Sequence, residues 1–288
     1  MANVGIVGLG IMGSAYAKNL IASGVDVSGF DPSPDASRHL SDLGGAARDS
    51  IGTWLADCDL VILALISPAV LREVCGLLAD LLRPGQVVLE TGTFALADKE
   101  AAHDTLDAKG IHLLDCPVSG TGAQAREADI LMMASGDAGA IAEARPFMAH
   151  FTKGVIEAGA FGMGSRLKYV ANHAVALHNA AAAETLAYSD ALGLDRQTTY
   201  EMLSTGAGQS KMSDLRMPLM ISGKYDPPTA TLKMFEKDLS VIGDDLRRLG
   251  LKVPLFDVVD ALYETASANL PESHDTASVF EVYRKNQQ

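Results

Sequence analysis

Near its start the chain reads Val4-Gly5-Ile6-Val7-Gly8-Leu9-Gly10-Ile11-Met12-Gly13. The apolar residues at the front are typical of a short buried strand, and the pattern from Met12 to about Ser23 predicts a helix. The glycines have the spacing GxGxxG, which suits a tight turn, a close approach to a pyrophosphate and close packing of helix on strand. Free N–H groups at the helix start favour an anion there. The sequence therefore predicts that Gly8, Leu9, Gly10, Ile11, Met12 and Gly13 bind a dinucleotide.

The second predicted strand, residues 25–30, is followed by Asp31 and Pro32. An acidic side chain at this point can accept a hydrogen bond from a ribose 2′-hydroxyl, and it repels a 2′-phosphate. We therefore predict NAD as the cofactor and leave NADP open. An alternative role for Asp31 is to begin a turn before Pro32 or to cap the next helix.

Five later strands are predicted, at residues 59–65, 86–90, 111–115, 130–135 and 155–156. Two of them are followed by small polar residues. Thr93 follows one of them, and Ser119, Gly120 and Thr121 follow another. Ligands of an open parallel sheet lie at the carboxyl ends of its strands, and hydroxyl and N–H groups together suit a carboxylate. Ordinary turn chemistry is the alternative for each of these residues.

The second half of the chain is predicted to be helical. Residues 159–164 are rich in glycine and form a hinge, and beyond them no strand-like run of convincing length follows. Helices are expected at residues 162–192, 194–204, 213–222, 232–250, 255–268 and 275–284. The predicted fold is α/β: a Rossmann-type, doubly wound parallel sheet in residues 1–160, then an all-helical domain in residues 161–288, joined by a long interdomain helix.

Lys168 and Asn172 lie four residues apart in the first of these helices and so share one face. The residues around them on that face are small and apolar. One explanation is a structural lysine, whose aliphatic stem packs at the edge of the helix while its ammonium group reaches water. The alternative is an acid/base lysine in a cleft between the two domains. The helix follows the predicted nucleotide-binding domain directly, which favours the second interpretation.

The composition excludes several classes of function. The net charge of −13 argues against binding nucleic acid or an anionic membrane surface. The three cysteines lack a CxxC spacing, so neither a disulfide framework nor a metal site is predicted. The N-terminal residues do not resemble a secretory signal, and no segment is long and apolar enough to span a bilayer. We expect a cytoplasmic protein.

Over essentially its whole length the chain resembles the β-hydroxyacid dehydrogenases, which include 3-hydroxyisobutyrate dehydrogenase and tartronate semialdehyde reductase. Four ordered motifs carry the resemblance: the glycine loop, Asp115-Cys116-Pro117-Val118-Ser119-Gly120, Gly162-Met163-Gly164 with Lys168 and Asn172, and Lys237-Asp238-Leu239. The turn from Glu90 to Thr93 is similar to the family segment that reaches the nicotinamide ribose.

The resemblance implies hydride transfer between NAD(H) and a small 3-hydroxy acid or its semialdehyde, an anionic substrate. Lys168 would be the general acid/base, and Asn172 would hold the substrate or the lysine. Ser119, Gly120 and Thr121 would bind the carboxylate, Thr93 the cofactor, and Lys237 could close over both ligands. The resemblance also implies a homodimer or homotetramer.

The chain departs from the family pattern near the expected substrate. Thr121 replaces a glycine, Gln124 and Arg126 stand in a segment that is commonly small, and His173 follows Asn172. These departures leave the substrate open. Two other functions stay open as well: an imine reductase, and a nucleotide-binding protein without catalysis. Lys168 together with Asn172 argues against the non-catalytic protein, and Lys168 argues against the imine reductases, which typically replace the lysine.

Overall fold

The computed structural model describes residues 2–285. Met1, in the first predicted domain, and residues 286–288, in the second, lie outside the described residues. The chain divides into two compact units, Met1–Lys168 and Tyr169–Gln288. The predicted boundary between residues 160 and 161 stays a prediction.

The first unit is built on one sheet of nine strands. The strands are β1 Asn3–Val7, β2 Asp26–Phe30, β3 Ala46–Ala47, β4 Leu60–Leu63, β5 Val87–Glu90, β6 His112–Asp115, β7 Val118–Ser119, β8 Leu131–Ser135 and β9 Gly154–Gly159. Their order is β3-β2-β1-β4-β5-β6-β8-β7, and β9 pairs with β8. Strands β1 to β6 pair in parallel throughout, so their carboxyl ends share one edge.

Helices cover both faces of this sheet. They are α1 Ile11–Ala22, α2 Pro34–Asp42, α3 Pro68–Leu81, α4 Leu96–Asp107, α5 Gly122–Arg126 and α6 Ala138–Phe151, with a 3-10 turn at Thr53–Asp57. Residues of one strand alternate between two buried clusters: Ile62 packs in one and Val61 and Leu63 in the other. A strand buried on both faces reads as an unbroken apolar run, which is why β4 could be predicted from the sequence.

One part of the sheet differs from an all-parallel prediction. Strand β8 pairs antiparallel with both β6 and β7. A parallel return requires a crossover, usually through a helix of useful length, whereas the link from β6 to β8 holds only β7 and the five-residue α5. Strand β9 is parallel to β8 again, because the 14-residue α6 lies between them.

The second unit is helical, and the described part of it contains no strand beyond an isolated bridge between Thr231 and Asp275. Its helices are α7 Met163–Ala191, whose first turns belong to the first unit, then α8 Arg196–Thr205, α9 Lys211–Ser222, α10 Leu232–Leu249, α11 Pro254–Asn269 and α12 Phe280–Lys285. The last predicted helix is split, since a 3-10 turn at Thr276–Val279 precedes α12. The predicted fold class, a Rossmann-type unit followed by helices, is confirmed.

Candidate functional site

The glycine loop between β1 and α1 is tightly packed at Gly8 and Gly13 and open at Gly10. Gly8 has φ of +92°, and a Cβ there would overlap the Ala64 carbonyl oxygen. A Cβ on Gly13 would overlap the Gly8 carbonyl oxygen. A Cβ on Gly10 would meet no atom within 4 Å. The fit therefore agrees with the roles predicted for these glycines, with open space where a pyrophosphate would approach.

Helix α1 begins at this loop without a side-chain cap on its N-terminal N–H groups. Unsatisfied N–H groups at a helix start carry partial positive charge and suit a phosphate. The loop is held from outside by Asp31, whose Oδ2 accepts a hydrogen bond from the Leu9 N–H at 2.8 Å. Its Oδ1 accepts from the Ser33 N–H at 2.8 Å. Asp31 thus begins the turn, as the alternative interpretation expected, and each oxygen still has a lone pair for a ribose hydroxyl.

The segment after β5 is held by its own acidic residue. Glu90 is fully buried, and its Oε1 accepts a hydrogen bond from the Gly92 N–H at 2.7 Å. The Thr91 hydroxyl donates to the Leu63 carbonyl oxygen at 2.8 Å. Thr93 follows in the partly exposed stretch before α4, at the carboxyl edge of the sheet where it was predicted.

The loop after β6 presents Ser119 and Gly120 to solvent and uses Thr121 internally. Gly120 has φ of +145° and faces Ile130, so a side chain there would be strained. Thr121 caps α5: its hydroxyl accepts from the Gln124 N–H at 3.3 Å, and its N–H donates to Gln124 Oε1 at 3.0 Å. This capping box gives a hydrogen-bond partner to both the hydroxyl and the N–H group of Thr121. The spacing Thr-x-x-Gln is typical of a capping box and could have indicated it in the sequence. The hydrogen bonds of Gln124 to Thr121 therefore stabilise the N-terminus of α5.

Lys168 and Asn172 belong to one helix but to different units. Lys168 is half-buried at the end of the first unit, and Asn172 is buried in the second. The Asn172 Nδ2 donates to Asp238 Oδ2 at 2.8 Å, and Lys237 Nζ lies 3.3 Å from Asp238 Oδ1. Asp238 thus fixes the orientation of the Asn172 amide, with its donor engaged. The sequence motif included Asp238, but nothing local indicated this partner.

His173 stacks on Phe256 with ring centroids 5.2 Å apart and planes 10° apart. It therefore packs within the helical unit. Within residues 2–285, no group of His, Cys, Asp or Glu side chains is placed to hold a metal ion. The same residues include no helix with the length and hydrophobicity needed to cross a membrane.

A buried ionic cluster below this edge of the sheet was not predicted. Lys99 Nζ on α4 lies 2.6 Å from Glu90 Oε2 and 2.7 Å from Asp115 Oδ1, and all three side chains are fully buried. Burial alone lowers the pKa of Lys99, but the carboxylates of Asp115 and Glu90 outweigh it and raise that pKa above its ordinary value. Lys99 is therefore charged. In the sequence it stands among polar residues of a helix, which are typical of a solvated face.

Two family models together match nearly the whole chain. Residues 3–160 match the model described as the NAD binding domain of 6-phosphogluconate dehydrogenase. Residues 162–283 match the model described as NAD-binding of NADP-dependent 3-hydroxyisobutyrate dehydrogenase.

Individual relatives match over their full length. An L-threonate dehydrogenase of Cupriavidus necator is 31% identical over 286 residues, which cover 98% of this chain and 96% of the relative. The structure of a 3-hydroxyisobutyrate dehydrogenase from Salmonella typhimurium superposes with a TM-score of 0.88 at 28% identity, covering 98% of this chain and all of the other. The 3-hydroxyisobutyrate dehydrogenase of Mycobacterium tuberculosis, solved with L-serine, gives a TM-score of 0.91 at 26% identity and 99% coverage of both chains.

Proposed function

Since the chain belongs to the β-hydroxyacid dehydrogenase family, we propose that it transfers a hydride between NAD(H) and a small 3-hydroxy acid or its semialdehyde, with Lys168 as the general acid/base. The predicted family, the dehydrogenase class and the NAD(P) cofactor are confirmed by the matches. The observation that supports the role of Lys168 is its place in the second turn of α7, in the same unit as the glycine loop and the Ser119 loop.

The cofactor would be held by the glycine loop, with the pyrophosphate at the uncapped start of α1 and the adenosine ribose at Asp31. Thr93 and Lys237 are proposed as further contacts. When bound, the nicotinamide supplies or accepts the hydride, and the protein orients the reactants and handles the proton. Asp31 favours NAD, because a carboxylate at this point repels a 2′-phosphate.

The substrate that we propose has three or four carbons, a carboxylate and a hydroxyl on carbon 3. L-Threonate, named for the relative from Cupriavidus necator, has four carbons and a hydroxyl on each carbon beyond the carboxylate. L-Serine, named with the Mycobacterium tuberculosis structure, is a three-carbon acid with a 3-hydroxyl. Ser119 and Gly120 would contact the carboxylate, and Thr121 would support them through its cap on α5.

In the reductive direction Lys168 would donate a proton to the carbonyl oxygen, and in the oxidative direction its neutral amine would accept the proton of the hydroxyl. Asn172 lies one helical turn further along α7. Its amide nitrogen donates to Asp238, so its carbonyl oxygen is left as an acceptor for an ammonium or a hydroxyl group. Asn172 would thereby orient the lysine or the substrate.

The first experiment is a substrate panel with NAD and NADP in parallel, followed by the absorbance of the reduced cofactor. We expect L-threonate, L-serine, 3-hydroxyisobutyrate and tartronate semialdehyde to include substrates. Reduction of cyclic imines alone would favour an imine reductase, and cofactor binding without turnover of any of these compounds would favour a non-catalytic protein.

The second experiment tests Lys168. Lys168→Ala should lower kcat by roughly two to four orders of magnitude, the contribution of a positioned proton donor. Lys168→Arg should not restore it, because a guanidinium does not release its proton at working pH. The cofactor Kd should change little. Lys153→Ala removes an exposed lysine paired with Asp129 and serves as the control. Near-normal kcat in folded Lys168→Ala, together with a lower Tm, would identify a structural lysine instead.

A further inference from the structure

Two carboxylates meet side by side in the interior of the first unit. Glu90 and Asp115 are the last residues of the neighbouring parallel strands β5 and β6, and they are paired in register. Both are fully buried, and the single Lys99 ammonium lies between them. Burial raises the pKa of Glu90, and Lys99 opposes that rise. Lys99 lies within ion-pair distance of both side chains and therefore links the ends of the two strands.

From this cluster one set of hydrogen bonds runs to the segment after β5. Glu90 Oε2 contacts Lys99, while its Oε1 accepts from the Gly92 N–H at 2.7 Å. A Cβ on Gly92 would lie 2.7 Å from the same Oε1, so the turn is closed directly over the carboxylate. The next residue is Thr93, which is proposed to contact the cofactor.

A second set runs to the start of α7. Asp115 Oδ2 accepts from the Ser165 N–H at 2.7 Å, and Asp115 Oδ1 accepts from the Ser165 hydroxyl at 2.8 Å. Ser135 Oγ donates to Asp115 and accepts from the Gly164 N–H at 2.9 Å. A carboxylate at a helix N-terminus is favoured by the helix dipole as well as by these bonds. The first turn of α7 is thus fastened to β6 and β8 immediately before Lys168.

We propose that Lys99 is a positioning residue that sets the Thr93 turn and the Lys168 helix in register through Glu90 and Asp115. Lys99 has no exposed surface and its ammonium contacts Glu90 and Asp115, so its effect on the reaction would pass through these two side chains. The inference rests on the proposed function, because it assumes that Lys168 transfers the proton. Displacement of a catalytic group by about 1 Å from a distant change can cost roughly 100-fold in rate.

The test uses the full-length protein with Lys99→Met, Lys99→Arg and Ser165→Ala. Lys99→Met keeps the length of the side chain and removes the charge, and it should lower kcat by roughly 10- to 100-fold with a smaller change in the KM for substrate. Lys99→Arg can still bridge two carboxylates and should keep kcat within about threefold of wild type. Ser165→Ala removes the hydrogen bond from the serine hydroxyl to Asp115. It should lower kcat by about 3- to 10-fold, which is part of the free energy of one hydrogen bond to a charged group.

A double variant and a matched control separate positioning from loss of stability. Lys99→Met and Ser165→Ala act through the same carboxylate, so their effects on kcat should not multiply. Arg216→Met breaks the buried Arg216–Asp275 pair in the helical unit, and it should lower Tm while leaving kcat of the folded enzyme near wild type.

Two results would overturn the positioning role, provided that Lys168→Ala still abolishes turnover. One is a wild-type kcat in folded Lys99→Met. The other is a double variant in which the losses of kcat from Lys99→Met and Ser165→Ala multiply in full. If Lys168→Ala kept its turnover, the proposed function itself would fail. If Lys99→Met does not fold, Ser165→Ala decides. Unchanged kcat in Ser165→Ala overturns the proposal, and a loss of kcat with unchanged Tm supports it.

Discussion

The cofactor preference proposed for Asp31 can be tested by substitution. The carboxylate holds Leu9 of the glycine loop and Ser33 of the following turn, and it is proposed to accept from the cofactor ribose. Asp31→Asn removes the negative charge but keeps an acceptor oxygen. The ratio of kcat/KM for NAD to kcat/KM for NADP should therefore fall by about 10- to 100-fold, the value of a hydrogen bond to a charged group.

The matched control is Asp35→Asn, which changes an exposed aspartate paired with Arg38 on α2. It should leave the cofactor ratio unchanged. A wild-type enzyme that used NADP(H) better than NAD(H) would contradict the role given to Asp31.

The cysteines should be unreactive in the folded protein. Burial raises the pKa of Cys58 to about 11 and that of Cys75 to about 12, and burial also raises the pKa of Cys116 well above its ordinary value. Because the thiolate is the attacking species, a raised pKa lowers the reactive fraction at neutral pH. Labelling with a disulfide reagent at pH 8 should be slow until denaturant is added, when all three thiols should react. Rapid labelling of the native enzyme would show that one of these sites opens.

Among single residues, the sequence was informative where a role depends on near neighbours. The glycines lie within one strand–turn–helix unit and Asp31 directly follows the next strand, so local spacing was enough to predict their roles, which stay predictions. Lys99, Glu90 and Asp115 come from three elements, and only the folded sheet brings their charges together. Thr121 has a hydroxyl that suits a ligand or a helix cap, and the capping box with Gln124 became visible only in the structure. Its predicted substrate contact stays a prediction.

The start of α7 packs so closely on the sheet that glycine is required at residue 164. A Cβ there would overlap the Met133 carbonyl oxygen and lie 2.8 Å from that of Asp115. Gly164→Ala should push the helix away from β6 and β8, lower the free energy of unfolding by about 1–3 kcal/mol and reduce kcat by displacing Lys168. Urea unfolding and steady-state kinetics would measure the two effects.

Gly76→Ala provides the control for that variant. Gly76 is exposed in α3, and a Cβ there would meet no atom within 4 Å. Alanine is the better helix former, so the change should raise stability by about 0.5–1 kcal/mol and leave kcat unchanged. Equal losses of stability in both glycine variants would show that close packing is not what residue 164 requires.

The elements themselves were predictable to different degrees. The parallel strands and the long helices have clear periodicity. The start of α10 was predicted at its observed residue, whereas that of α9 was predicted at residue 213, two residues late, because the cap at Ser210 was not recognised. The antiparallel direction of β8 was not readable, because an apolar run has no direction of its own. The 3-10 turn before α12 depends on Asp275, whose carboxylate accepts from the Ala277 N–H and also pairs with Arg216.

The whole chain is proposed to form a homodimer or homotetramer, as the family resemblance implies. Large apolar side chains that stay exposed are concentrated in the helical unit of the described chain. They include Leu249, Leu251, Leu255 and Val258, each exposed by 58% to 70%. These four lie between residues 249 and 258, at the end of α10 and the start of α11, and large exposed apolar patches mark sites of interaction with other proteins. Association would also bring together chains that each carry a net charge of −13, and the apolar contact would have to outweigh this overall repulsion.

Light scattering coupled to size exclusion should give about two or four times the chain mass of 30.2 kDa. Because apolar association is insensitive to screening while charge repulsion is weakened by it, the assembly should persist or tighten as salt is raised. Leu255→Lys with Val258→Lys should shift the mass toward one chain if those residues lie in the interface. Lys224→Ala, a change at an exposed polar position before Tyr225, should leave it unchanged. A single-chain mass for the wild type at micromolar concentration would contradict the oligomer, and it would leave the exposed apolar residues of α10 and α11 as a surface that the isolated chain tolerates.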